Sequence, residues 1–130
     1  MKPKDPNSAC EPVLAGLQRA NTILYCHHWR QTVDFYHDVL GLKAHQVREW
    51  FVEFQVTDRA FVSVADAGRA TIASANGAGL TLSWQVEHLE QIRQALLSKG
   101  VEVSPIRSKW GARVCYLKDP EGHRIELWSP

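Results

Sequence analysis

The second half of this chain repeats the first, and that repetition limits the folds open to it more than any other feature. From Asn21 to Cys26, Leu24 and Cys26 fall on one side and Asn21, Ile23 and Tyr25 on the other, which is the period of a strand. From Trp29 to Leu40 the period changes: Val33, Tyr36 and Leu40 are spaced i, i+3, i+7, with Phe35 and Val39 widening the stripe. Gly41 stands where a C-cap belongs, so one helix is predicted. Three strands follow, Lys43 to Val47, Trp50 to Val56 and Ala60 to Ala65, separated by polar breaks such as Thr57-Asp58-Arg59.

The same order returns at an offset of about 59 residues. Leu80 to Val86 is a strand, and Leu89, Ile92 and Leu96 share one face of a helix from Leu89 to Lys99 that Gly100 closes as Gly41 closes the first. Val101 to Ser104, Ala112 to Leu117 and Arg124 to Trp128 read as strands, with Asp119-Pro120-Glu121-Gly122 as the turn between the last two. The small residues from Ala73 to Gly79 link the copies. The fold class is therefore α+β, one domain over residues 21–130 made of two βαβββ units, about 21–72 and 79–130. Residues 1–20, carrying Pro3, Pro6 and Pro12, are expected to form a flexible lead-in with one short turn near Leu14 to Gln18.

Composition narrows the function classes. Fifteen basic and fourteen acidic residues give a formal net charge of +1, and no Lys/Arg block with interleaved aromatics exists, so nucleic acid is not an expected partner. No signal-peptide core precedes Leu17, and no window approaches the roughly 18 apolar residues of a membrane span, so no membrane partner is expected. Cys10, Cys26 and Cys115 are odd in number and lack a C-x-x-C pair, which fits free, partly buried thiols in a reducing cytoplasm. Five tryptophans, at 29, 50, 84, 110 and 128, exceed what a core of this size needs, so some are expected to line a surface or pocket.

Two segments carry a family resemblance. Phe35-Tyr36-His37-Asp38-Val39-Leu40-Gly41-Leu42 resembles the F-Y-x-x-x-L-G-F/L segment that ends the first helix of vicinal-oxygen-chelate proteins, the superfamily of glyoxalases, bleomycin resistance proteins and extradiol dioxygenases. Trp110-Gly111-Ala112-Arg113 and Asp119-Pro120-Glu121-Gly122-His123-Arg124-Ile125-Glu126-Leu127 resemble the W-G-x-R and D-P-D/E-G-x-x-I/V-E-L elements near that family's C-terminus. The resemblance implies two curved units enclosing a cleft, with many members completing that cleft across a homodimer. Strand parity then turns Asn21, Ile23, Tyr25, Thr81, Ser83 and Gln85 toward the cleft, while Leu24, Cys26, Leu80, Leu82, Trp84 and Val86 pack inward.

Metal-using members place four ligands on these strands, and the resemblance puts Asn21, Ser63, Thr81 and Glu126 at those positions. Only Glu126 is an ordinary ligand, since hydroxyls bind transition metals poorly. No cofactor is therefore expected, and a divalent metal would rest on Glu126 alone. Glu126 could equally meet a water, Arg113 or Arg124. His27 and His28 are adjacent and cannot chelate one ion together, His28 and His88 read as exposed helix-start residues, and His123 reads as an exposed turn residue. Trp128 shares the face of Glu126, Trp110 sits near the cleft mouth, and Tyr25 and Tyr116 point inward. Three functions are open: a protein that binds a small aromatic molecule through Trp110, Trp128, Ser63, Thr81, Ser83, Gln85 and Asn21, a lyase, isomerase or dioxygenase-type enzyme, or a domain whose dimer surface is its function. In the second, Glu126 is the base or a metal ligand and Tyr25 or Tyr116 the acid.

Overall fold

A computed structural model describes Asp5, Pro6 and residues 11–130. The remaining lead-in positions, Cys10 among them, lie outside the described residues. The expected turn is present, closed by the Leu17 amide donating to the Leu14 carbonyl at 3.0 Å.

The duplicated pattern becomes two four-stranded sheets of identical order. The first holds β1 (Ala20–Cys26), β2 (Lys43–Arg48), β3 (Phe51–Thr57) and β4 (Ala60–Asp66) in the order β1-β4-β3-β2. The second holds β5 (Thr81–Gln85), β6 (Arg107–Lys109), β7 (Ala112–Lys118) and β8 (Arg124–Ser129) in the order β5-β8-β7-β6. In each, the outer pair β1/β4 or β5/β8 is parallel and the rest antiparallel. A parallel neighbour requires a crossover, which is what the intervening helix of each unit supplies.

The first helix departs from the single helix expected over residues 29–40. Its start, α1 (Trp29–Asp34), is α-helical, but Phe35–Val39 winds as a π-helix with Leu40 donating to the Phe35 carbonyl at 3.0 Å. The cause is one inserted residue: His28 to Gly41 is one longer than the equivalent span from His88 to Gly100. A π-turn absorbs such an insertion without moving either helix end. The second copy, α2 (Leu89–Ser98), lacks the insertion and is α-helical throughout.

The strand expected over Val101 to Ser104 is also absent, and the ladder begins at Arg107. Pro105 explains this, because proline cannot donate to a ladder. Just before it, Ser104 makes one isolated bridge to β7: its amide donates to the Tyr116 carbonyl at 2.9 Å, and its hydroxyl accepts the Tyr116 amide at 2.8 Å.

Both units bury their inner faces in one continuous core that includes Leu24, Cys26, Tyr36, Phe54, Val64, Leu96, Cys115 and Ile125. The turn after β7 locks the units together. Asp119, buried with its side chain fully covered, accepts the amides of Glu121, Gly122 and His123 on Oδ1 at 3.0, 2.9 and 2.9 Å. Its Oδ2 accepts the Tyr36 hydroxyl and faces His123 Nδ1, both at 2.8 Å. Burial first, and then the Asp119 charge, push the Tyr36 hydroxyl well above its ordinary pKa. Glu121 accepts the amides of His27 and His28 at 2.8 Å each, so a carboxylate from the second unit satisfies donors at the start of α1, where His28 itself provides no side-chain cap. Ser74 of the linker also donates to Glu121. Burial raises the Glu121 carboxyl, but these donors outweigh it and hold the group below its ordinary range. His123, expected to be exposed, is instead buried as part of this latch, because the turn folds inward onto the first unit.

Candidate functional site

The open face of the first sheet lies opposite the core. Register places Asn21 beside Phe61, Ile23 beside Ser63, Tyr25 beside Ala65 and Glu53 beside Ser63, all on that face. Glu53 is its organising charge. Its side chain is only 7% exposed, yet it meets Arg19 at 2.8 Å, His45 Nδ1 at 2.7 Å and the Asn21 amide at 3.4 Å. Burial alone would raise the Glu53 carboxyl, but the bonds from Arg19 and His45 hold it below the ordinary range. His45 reaches it from the β-bulge between Ala44 and Gln46, an irregularity that redirects a side chain. Phe61 lies beneath, with the Arg19 guanidinium 3.7 Å from its ring centroid and the His45 ring 5.2 Å away.

On the second sheet, Thr81, Ser83 and Gln85 of β5 stand beside Arg124, Glu126 and Trp128 of β8, and Tyr116 of β7 faces Glu126 from the other side. Glu126 Oε1 accepts the Ser83 hydroxyl at 2.6 Å, and Arg124 Nε donates to Thr81 Oγ1 at 2.9 Å. Arg113, considered as a partner for Glu126, pairs with Glu90 of α2 on the opposite face. Tyr116 is flanked by two cations, with Arg124 and Lys109 at 4.7 and 5.1 Å from its ring centroid. A cleft of about 910 Å³ runs between the starts of β1 and β4 and the length of β5, with Phe61, Thr81, Ser83 and Gln85 on its walls.

The structure thus gathers the expected residues into two sets. Asn21, Tyr25 and Ser63 belong to the first sheet, and Thr81, Ser83, Gln85, Tyr116, Glu126 and Trp128 to the second. Among the described residues no hydrogen bond, ion pair or ring contact joins the two sets. Tyr25 therefore does not meet Glu126, whereas Tyr116 is its direct neighbour. Ser63 is fully buried and donates to Asn21 Oδ1 at 2.8 Å. Trp110 is 95% exposed at the tip of the β6–β7 hairpin.

The four positions that the resemblance assigns to metal ligands each have an intrachain partner: Asn21 with Ser63, Thr81 with Arg124, and Glu126 with Ser83. One carboxylate, one amide and two hydroxyls, bonded in this way, do not fit the imidazole and carboxylate set that a transition metal requires. Among the described residues no three His, Cys, Asp or Glu side chains converge as a ligand group. Sequence reasoning passed over Arg19, His45 and Glu53. The available signal was Glu53 itself, a lone charge within Phe51-Val52-Glu53-Phe54 at the parity of Ser63.

Comparison with known proteins agrees with this architecture. A family model described as the Glyoxalase/Bleomycin resistance protein/Dioxygenase superfamily matches residues 19–127. The uncharacterized protein YraH of Bacillus subtilis (strain 168) is 28% identical over 120 residues, covering 82% of this chain and 93% of that protein. Among solved structures, the lactoylglutathione lyase from Agrobacterium tumefaciens superposes with a TM-score of 0.72 at 19% identity, covering 85% of this chain and 91% of the other. TnmS3, an antibiotic binding protein from Streptomyces sp. CB03234, superposes with a TM-score of 0.74 at 17% identity, covering 92% and 99%.

Proposed function

Since the chain belongs to the glyoxalase/bleomycin resistance protein/dioxygenase superfamily, we propose that it binds a small aromatic molecule in a cleft lined by aromatic side chains, without a transition metal. One observation carries the reading: the positions that would hold a metal are hydrogen-bonded within the chain, Asn21 with Ser63, Thr81 with Arg124 and Glu126 with Ser83, while Tyr116 and Trp128 stand on the open face of the second sheet and Phe61 lines the cleft. Planar ligands suit such rings, each ring pair adding roughly 0.5–1.5 kcal/mol beyond buried area. The likeness in fold to an antibiotic binding protein is consistent with this use of the scaffold.

The cleft is completed by a homodimer. Each chain carries two half-sites on separate sheets, and β1 and β5 are open edges that another copy can cover. The buried free thiols Cys26 and Cys115 suit a reducing cytoplasm. Among the described residues no helix is long and apolar enough to cross a membrane.

Three measurements test the reading. Metal analysis of purified protein should find no stoichiometric transition metal. Planar aromatic compounds should quench tryptophan fluorescence. Light scattering should give a mass near twice 14.7 kDa. A stoichiometric metal, or failure of every aromatic compound to bind, would overturn it.

A second reading, a metal-free lyase or isomerase, is favoured by the direct register pairing of Tyr116 with Glu126. A base and an acid on adjacent strands can pass a proton across a bound substrate. Under this reading Glu126→Gln abolishes turnover and leaves binding intact. Under the first it changes binding alone.

A further inference from the structure

We infer that the open face of the second sheet selects an anionic aromatic ligand, whose carboxylate is received by Arg124 and whose ring lies against Tyr116. The inference rests on the small-molecule reading above and names the class of ligand.

Charge distribution is the first observation. The whole chain carries a formal net charge of only +1. Register nevertheless puts Arg107, Lys109, Lys118 and Arg124 on this one face, with Glu126 as the carboxylate among them. The Ser83 hydroxyl already occupies one oxygen of that carboxylate. A face with four cations and one acid attracts anions and repels cationic ligands.

The second observation is how Arg124 is held. Its Nε is tied to Thr81 Oγ1 at 2.9 Å, and its guanidinium stands 4.7 Å from the Tyr116 ring centroid. Neither Nη nitrogen has a partner among the described residues. The planar fork is thus oriented on one side and open on the other, the arrangement that receives a carboxylate through two parallel bonds. Lys109 Nζ sits 3.5 Å from the Tyr116 hydroxyl and adds a second cation at the same ring.

The first sheet supplies the contrast. There Arg19 and His45 both meet the Glu53 carboxylate, so their charge is offset by a direct ion pair, whereas Arg124 has no carboxylate partner among the described residues. Space lies beside this face: a groove of about 1080 Å³ is lined by Tyr116, Lys118 and Arg124 and by Phe35 and Ser104, with Glu102 and the already fully bonded Asp119 as its acids. That is ample for a drug-sized molecule. Thr81 accordingly has a role of its own: it sits at a metal-ligand position of the family and here orients an arginine.

The test uses three probes of one shape, naphthoate, naphthamide and naphthylmethylammonium, titrated by calorimetry into the full-length protein. Naphthoate should bind roughly tenfold more tightly than the amide, consistent with one charge-assisted bidentate pair. The ammonium should bind least, and the preference for naphthoate should weaken with added salt. Arg124→Gln should bring naphthoate and naphthamide within about threefold of each other. Arg124→Lys should retain part of the preference, and Thr81→Val should reduce it. Arg124 is exposed, and thermal melts will confirm that the variants stay folded. Equal binding of the three probes, or a carboxylate preference that survives Arg124→Gln, overturns the inference but leaves the small-molecule reading standing. Failure of all three to bind at millimolar concentration counts against both.

Discussion

Replacing Asp119 tests whether the turn after β7 holds the two units together. In Asp119→Ala the amides of Glu121 and His123, the Tyr36 hydroxyl and the His123 ring lose a partner, whereas the Gly122 amide keeps its bond to the Asp119 carbonyl at 3.0 Å. Each unsatisfied buried polar group costs about 1–3 kcal/mol, so four give a nominal loss of roughly 4–12 kcal/mol. Relaxation and water entry favour the lower end, and we expect a loss of about 4 kcal/mol, a large share of a typical domain's stability. Asp119→Asn retains an oxygen for the three amides but presents an NH₂ group to Tyr36 and His123, and should cost about 2 kcal/mol. Tyr36→Phe should cost about 1–2 kcal/mol alone and clearly less in the Asp119→Ala background, because its partner is already gone. Urea unfolding followed by circular dichroism and tryptophan fluorescence measures all four proteins. A loss under about 1 kcal/mol for Asp119→Ala, or strict additivity with Tyr36→Phe, would refute the latch.

Other predictions follow from single features. Gly77 has φ +80°, and an added Cβ would lie 2.1 Å from the Gly122 carbonyl carbon, so Gly77→Ala should cost more than about 3 kcal/mol in the same urea assay. Cys26 is pushed from 9.0 up to about 12 by burial, then by Glu121 and Asp119, so its contribution to stability is complete below pH 9.0 and is lost as pH rises toward 12. A urea midpoint that stays flat across that interval would contradict this. Trp110 is 95% exposed with φ 47°, a conformation asparagine tolerates better, so Trp110→Asn should raise stability by about 0.5–1 kcal/mol while weakening aromatic ligand binding. A lower melting temperature would count against strain at that turn. The combined variant Asn21→His, Ser63→Glu and Thr81→His should bind Ni²⁺ or Zn²⁺, while Thr81→His alone should not; a folded triple variant that fails to bind would count against the placement of the site.

The fold was readable in the sequence wherever period and punctuation agreed. Leu24 and Cys26 against Ile23 and Tyr25 gave the first strand, and Gly41 and Gly100 marked both helix ends. The strand expected over Val101 to Ser104 rests on apolar residues alone, and the signal against it is Pro105, since a proline beside a strand ends its ladder. The π-turn required comparing two spacings rather than reading one periodicity. At the site, parity placed Thr81, Ser83 and Glu126 on one face, because alternation is local. What parity does not contain is partnership. That Thr81 would hold Arg124, or that Arg19 and His45 would meet on Glu53, depends on residues up to 43 positions apart brought together by register. His123 was misread for the same reason, since a polar turn residue looks exposed until the latch to Tyr36 is known.

The bond from Glu121 to the start of α1 also bears on the order of events during synthesis. The amide of His27 waits for an acceptor 94 residues downstream. At a synthesis rate of about 5–20 residues per second, the first helix leaves the ribosome on the order of 5–20 s before its partner carboxylate exists. During that interval the β1–α1 junction lacks its acceptor, and the first unit has an apolar inner face with nothing from the second to cover it. Contacts of such long sequence separation also slow folding of the finished chain. A nascent chain stalled before Asp119 should therefore be a chaperone client, and the chain released after Pro130, with β8 in place, should not.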